Sequence, residues 1–282
     1  EEGLERKVLY VAGDLPGDSA AVPAGKAKIA QVYRADTPDL ADRLERDRSL
    51  GAHAALIEGG VPDLFLGDFE VAWISGAGPT DELPEGAVAL LDPPVGDWGA
   101  HAKAMARGAR VRLDVTRPFD AGVGPVEELG VFAAQFAHRL RQLEAVGCAP
   151  EVAAPSFLVT AAVDTDFFGS LAKLRVMRSL AAQILGASGV PEAGRRLEIH
   201  VRAGQREWAA RPDAMWGNLL RGCTQAFSAQ LGGADWVAVP GFDGGRSLEA
   251  QRLATNTQVI LREESFAGEV EDPAAGSFYL ER

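Results

Sequence analysis

From residue 53 onward the chain repeats one pattern. A short apolar run is followed by a turn, and often by a longer stretch with apolar positions three or four apart. The short runs are HAALIE (53–58), EVAWIS (70–75), AVALL (87–91), RVRLDV (110–115), FLVTAA (157–162), LEIHVR (197–202), WVAVP (236–240) and a weaker GEVED (268–272). Rich in Val, Ile, Leu and Ala, they predict strands buried on both faces. The clearest helix lies within 164–189, where Phe167, Leu171, Leu174, Met177, Ala181 and Ile184 form one stripe. Asp164 or Thr165 can cap it, and Gly186 or Gly189 can end it. A second amphipathic helix, 126–147, closes on Gly147.

Eight strands with intervening helices predict an α/β chain of the (β/α)8 TIM-barrel type. The pattern also predicts that the barrel is abbreviated. Residues 59–69 and 76–86 are turn-rich linkers with little room for helices, and no helix follows 268–272. Residues 1–30, with LPGDSAAVPAG, read as an extended N-terminal arm without a core of its own, and 31–282 as the barrel domain.

Composition narrows the function classes. In 282 residues the formal net charge is −12, with no basic run to offset it, which argues against a nucleic-acid or anionic-membrane partner. No apolar stretch approaches the roughly 18 residues of a membrane span. The first residues carry no secretory pattern. Cys148 and Cys223 sit in no C-x-x-C or Cys/His cluster, so they read as small core residues of a cytoplasmic protein, not as a zinc site or disulfide.

Candidate chemistry is sparse. His200, at the end of LEIHVR and followed by Arg202, is either a ligand or acid–base group or a hydrogen-bonded core residue. His53 begins a strand, His101 falls in a helical surface stretch and His138 in a helix. These three read as structural or solvated, and no H-x-x-x-H pair suggests a metal. PGFDGG (240–245) follows a strand and reads as a plain loop, because it lacks G-x-G-x-x-G and the P-loop Lys-Ser/Thr. The paired acids of VEELG and LREES read as solvated helix faces.

The C-terminal half carries more. FFGSLAKLRVMRSLAAQILG, GNLLRG, GGADWVAVPGFD, RLATNTQVILREES and VEDPAAGSFYLE, in that order and spacing, resemble the barrel domain of methylmalonyl-CoA mutases. GGADWVAVPGFD is more similar to the small, non-catalytic subunit of the heterodimeric enzymes. The resemblance implies a family that interconverts methylmalonyl-CoA and succinyl-CoA with adenosylcobalamin. In that family a His of an Asp-x-His-x-x-Gly string ligates the cobalt, and no such string occurs here. Catalytic members place Gly-Tyr-His at a strand end, where this chain has Arg117, Pro118 and Phe119. Pro and Phe side chains cannot hydrogen-bond a thioester carbonyl. The family's His-x-Gln becomes His200 and Arg202.

The resemblance therefore implies no catalytic residue and no metal in this chain, with the catalytic pair replaced by Pro118 and Phe119. It leaves His200, Arg202 and Arg117 as substrate-binding candidates. It implies no cofactor bound by this chain alone, adenosylcobalamin in the family complex, and pairing with a catalytic mutase subunit or a second copy. Two alternatives stand beside it: a divergent active acyl-CoA mutase with cobalamin supplied elsewhere, and a free-standing CoA-thioester-binding protein.

Overall fold

The computed structural model describes residues 25–62, 69–75, 82–83, 87–92, 97–209 and 213–281. Its strands are β1 (Lys28–Arg34), β2 (Ala54–Glu58), β3 (Val71–Ser75), β4 (Ala87–Leu91), β5 (Arg110–Asp114), β6 (Phe157–Val163), β7 (Glu198–Ala203) and β8 (Trp236–Ala238). All pair in parallel in sequence order and close into a barrel. The closing seam is short: Lys28 lies opposite Trp236, and Ile29 opposite Val237. The helices are α1 (Leu40–Ser49), α2 (Trp98–Met105), α3 (Thr116–Asp120), α4 (Pro125–Ala145), α5 (Pro150–Ala153), α6 (Phe167–Ala187), α7 (Gly217–Leu231) and α8 (Leu248–Glu263). None of the helices is long and apolar enough to cross a membrane.

The barrel expectation holds, but the identity of one strand does not. The first strand is KIAQVYR, whose start falls in the range assigned to the arm, so residues 28–30 belong to the barrel. The apolar run there is broken by Gln31, which hid the strand; Gln31 is buried and donates to Thr255 Oγ1 of α8 at 2.9 Å. GEVED is not a strand. Its backbone turns back, with Gly268 at φ 90° and Asp272 at φ 35°, and Gly268 packs on Gly25 so closely that no Cβ would fit. The last strand is therefore β8, and it is followed by a full helix, α8; among the described residues no helix follows 268–272. Residues 1–24 of the arm lie outside the described residues. Among those described, no helix joins β2 to β3 or β3 to β4.

Local sequence explains the two longest helices. Helix α4 starts on Pro125, whose missing N–H costs nothing in a first turn, and Gly147 follows its end at φ 88°. Helix α6 is capped by Asp166, not by Asp164 or Thr165: the Asp166 carboxylate accepts from Gly169 N at 3.1 Å. Gly189 follows its end at φ 85°.

Alternation along β5 sets the layers. Val111 and Leu113 face outward into the main core with Phe132, Phe136, Phe157, Leu174 and Met177. Phe136 meets Phe157 edge-on at 5.0 Å, worth about 0.5–1.5 kcal/mol beyond area burial. The intervening residues, Arg110, Arg112 and Asp114, face the lumen.

Candidate functional site

The lumen is filled. Ala30, Ala54, Leu56, Trp73, Leu90, Leu158 and Trp236 form one buried cluster inside the ring. Trp73 and Trp236 meet edge-to-face at 4.8 Å, and the His200 ring lies 6.0 Å from Trp73. Below them Trp236 Nε1 donates to Glu198 at 2.7 Å, and Arg110 donates to the same carboxylate at 2.6 Å. Tryptophans of this size leave no open path along the barrel axis.

His200 belongs to this plug. It is fully buried, and neither ring nitrogen has a hydrogen-bond partner. Burial, with the Arg112 and Arg202 charges added, pulls its pKa down to about 3. At neutral pH it is uncharged and shielded from solvent.

A charged layer lies over the plug. Arg112 donates to Ser75 Oγ at 2.8 Å and to Glu58 at 2.8 Å, and pairs with Asp114 at 3.0 Å. Asp114 also accepts from the Thr116 amide and hydroxyl, at 2.9 and 2.6 Å. Burial pushes its pKa up, but Arg112 and the Thr116 hydrogen bonds outweigh that and hold it below the usual range. No sequence motif marks Arg112, Glu58 or Asp114. The period-two alternation of RVRLD carried the signal, since it sets two arginines and an aspartate on one face of a buried strand.

The rim differs from a strand end. Thr116 to Asp120 form one helical turn, α3, and Phe119 is turned inward and fully buried. A Cβ on Gly204, after β7, would overlap its ring. The Arg206 guanidinium lies over the Phe119 ring at 4.3 Å and the Lys173 ammonium at 5.2 Å. Lys173 in turn pairs at 2.9 Å with Glu128, so of the two acids of VEELG only Glu127 is exposed, and Glu128 is buried between α4 and α6. Arg202 pairs with Asp120 at 3.0 Å, whereas Arg117 is exposed. Among the described residues no hydrogen bond or ion pair joins Arg117 to His200 or Arg202. The three binding candidates thus occupy three environments: plug, rim ion pair and solvent.

Two further expectations can be placed. His101 is buried, not at the surface, with Nε2 2.8 Å from the Asp92 carbonyl oxygen. In PGFDGG the Asp243 carboxylate already accepts from the Arg246 and Ser247 amides, at 2.9 and 2.8 Å, so those N–H groups cradle no phosphate. Cys148 and Cys223 are free and half-buried. Among the described residues no group of three His, Cys, Asp or Glu is arranged to hold a metal.

The sequence model of the family described as methylmalonyl-CoA mutase matches residues 101–282. The chain belongs to that family. It is 38% identical over 173 residues to the methylmalonyl-CoA mutase small subunit of Streptomyces virginiae, covering 60% of this chain and 28% of that one. To the probable small subunit of Mycobacterium tuberculosis it is 34% identical over 200 residues, covering 67% and 32%. The 2-hydroxyisobutanoyl-CoA mutase large subunit of Aquincola tertiaricarbonis is 30% identical over 187 residues, covering 64% and 33%. The chain therefore spans about a third of the length of the curated relatives it matches, and within the mutase family it is small-subunit-like.

Proposed function

We propose that this chain is a non-catalytic barrel of an adenosylcobalamin-dependent methylmalonyl-CoA mutase, and that a catalytic large subunit carries the isomerisation. The observation that carries this is the plug. A thioester arm threaded along the axis would have to pass Trp73, Trp236 and His200, all of them packed and buried. The rim agrees, because Pro118 and Phe119 offer no polar atom and Phe119 is committed to packing under Gly204. Both features count against the CoA-thioester-binding alternative and against the divergent active mutase.

Adenosylcobalamin does not fit the imidazoles described. His200 is sealed in the plug and His101 is engaged with Asp92. His53 lies just before β2, at the opposite end of the barrel, and receives the Ile29 amide at 3.3 Å. His138 is exposed on the outer face of α4. No step through the cofactor is therefore derived for this chain, and in this reading its partner holds it. The pair would work in the cytoplasm, where Cys148 and Cys223 stay reduced.

Purified chain, a large mutase subunit and their mixture, each assayed with methylmalonyl-CoA and adenosylcobalamin, test the proposal. The chain should form a stable complex with the large subunit and give no succinyl-CoA by itself. Turnover by the chain alone, or failure to associate, would overturn it.

A further inference from the structure

Above the plug, a cavity of about 380 Å3 opens between the C-terminal ends of β1, β7 and β8. Val32 and Ala238 form part of its floor, and Arg34, Arg43, Arg202 and Arg246 reach its walls. Among the described residues no Asp or Glu lines it. In a chain of net charge −12, four guanidinium groups around one carboxylate-free cavity are not a consequence of composition.

The four are not equally neutralised. Arg34 pairs with Asp36 at 2.9 Å and Arg202 with Asp120 at 3.0 Å, both carboxylates lying outside the lining. Arg43 donates only to backbone, to Pro38 O at 3.2 Å and more weakly to Gly245 O at 3.5 Å. The charge nearest it in the core, Asp47, is occupied by the Tyr33 hydroxyl. Arg246 has no side-chain hydrogen bond or ion pair among the described residues. Two guanidinium forks, Arg43 and Arg246, are thus without a carboxylate in contact.

We propose that this cavity, open to solvent on the side of the exposed Arg34 and Arg246, binds a small organic phosphate. A dianionic phosphate ester suits two guanidinium groups that have no carboxylate in contact, although Asp47 lies within charge range of Arg43, and their planar forks suit its oxygens. A monocarboxylate would leave one of the two charges unbalanced. The apolar floor takes a short carbon body, and the tryptophans beneath stop anything longer from passing down the axis. The proposal goes beyond the subunit role above and stands whether or not a catalytic partner is found.

Calorimetric titration of the intact chain with n-butyl phosphate, butanoate and inorganic phosphate tests it. Butyl phosphate should bind about tenfold more tightly than butanoate, the ratio one additional charge-assisted contact gives, and more tightly than inorganic phosphate. Arg246→Gln and Arg43→Gln should each weaken it about fivefold or more, with melting temperatures near the parent's. Arg141→Gln, on exposed α4 and outside the cavity, should leave it unchanged. No saturable binding, equal affinity for butanoate, or equal loss in Arg141→Gln would overturn the proposal.

Discussion

Strands β5–β8 and strands β1–β4 contribute equally to the ring, but they are held in different ways. The first group is backed by α4, α6 and α7, a layer whose apolar stripes merge with the strands into one large core. Its polar links are buried. Lys173 meets Glu128, Arg175 meets Asp272 at 2.8 Å and Glu281 at 2.6 Å, and Arg178 joins Asp235 to the Leu197 carbonyl. The second group has a small outer core around Tyr33, Leu40, Leu44, Ile57 and Ile74. Its firmest attachments run inward: Trp73 into the plug, and Glu58 and Ser75 to Arg112 of the other half. Among the described residues the outer core of this half is the smaller one, and an interior used for bracing is no longer free to admit a substrate.

The largest effects should come from the anchors of each half. Trp73→Ala and Phe119→Ala remove fully buried aromatic rings, and each should cost about 3–5 kcal/mol in denaturant unfolding. Hydrogen exchange should separate them, with Trp73→Ala loosening β2–β4 and Phe119→Ala loosening α3 and the ends of β6 and β7. Equal patterns would erase the distinction between the halves.

Arg112→Met comes next. It removes one of the two partners of the Ser75 hydroxyl, which keeps Asp92 at 3.3 Å, and leaves Glu58 and Asp114 without their cation, although both carboxylates keep partial contact with water. A loss of about 2–4 kcal/mol follows, and β2 and β3 should lose exchange protection before β6 and β7. A uniform loss would mean that Arg112 is not the brace between halves.

His200→Phe changes a pH slope. The native imidazole has a pKa near 3 against an ordinary value of 6.5. Stability is therefore retained above about pH 6.5, falls as the unfolded chain takes up the proton, and levels off near pH 3. Between pH 7 and pH 5 the parent should lose about 2 kcal/mol through this group. His200→Phe should lack that component of the acid limb, so identical pH profiles would contradict the depressed value. The smallest effect is Asp166→Ala at the α6 N-cap, about 1 kcal/mol by urea unfolding.

Fold class was legible because buried parallel strands announce themselves as short aliphatic runs, and seven of the eight were found that way. KIAQVYR was missed because a buried glutamine interrupts it, and only the contact with Thr255 shows why the glutamine is tolerated. GEVED was accepted on a single valine, Val270, that the positive φ angles around it exclude from a sheet. The site was less legible. That Trp73, His200 and Trp236 meet depends on register around the ring, and residues so distant in sequence have no local signature. Glu128 was misread for a related reason: a helical acid pair looks the same whether it faces water or a lysine on the next helix.

The seam between β1 and β8 carries a further consequence, for synthesis. Lys28 and Trp236 are some 200 residues apart, and at ribosomal elongation rates that interval lasts roughly 10–40 s. Throughout it the free edge of β1 is made and unpaired. An unpaired parallel edge recruits other strands. Nascent chains of this protein should therefore be most dependent on chaperones, and most prone to aggregate, just before residue 236 leaves the ribosome.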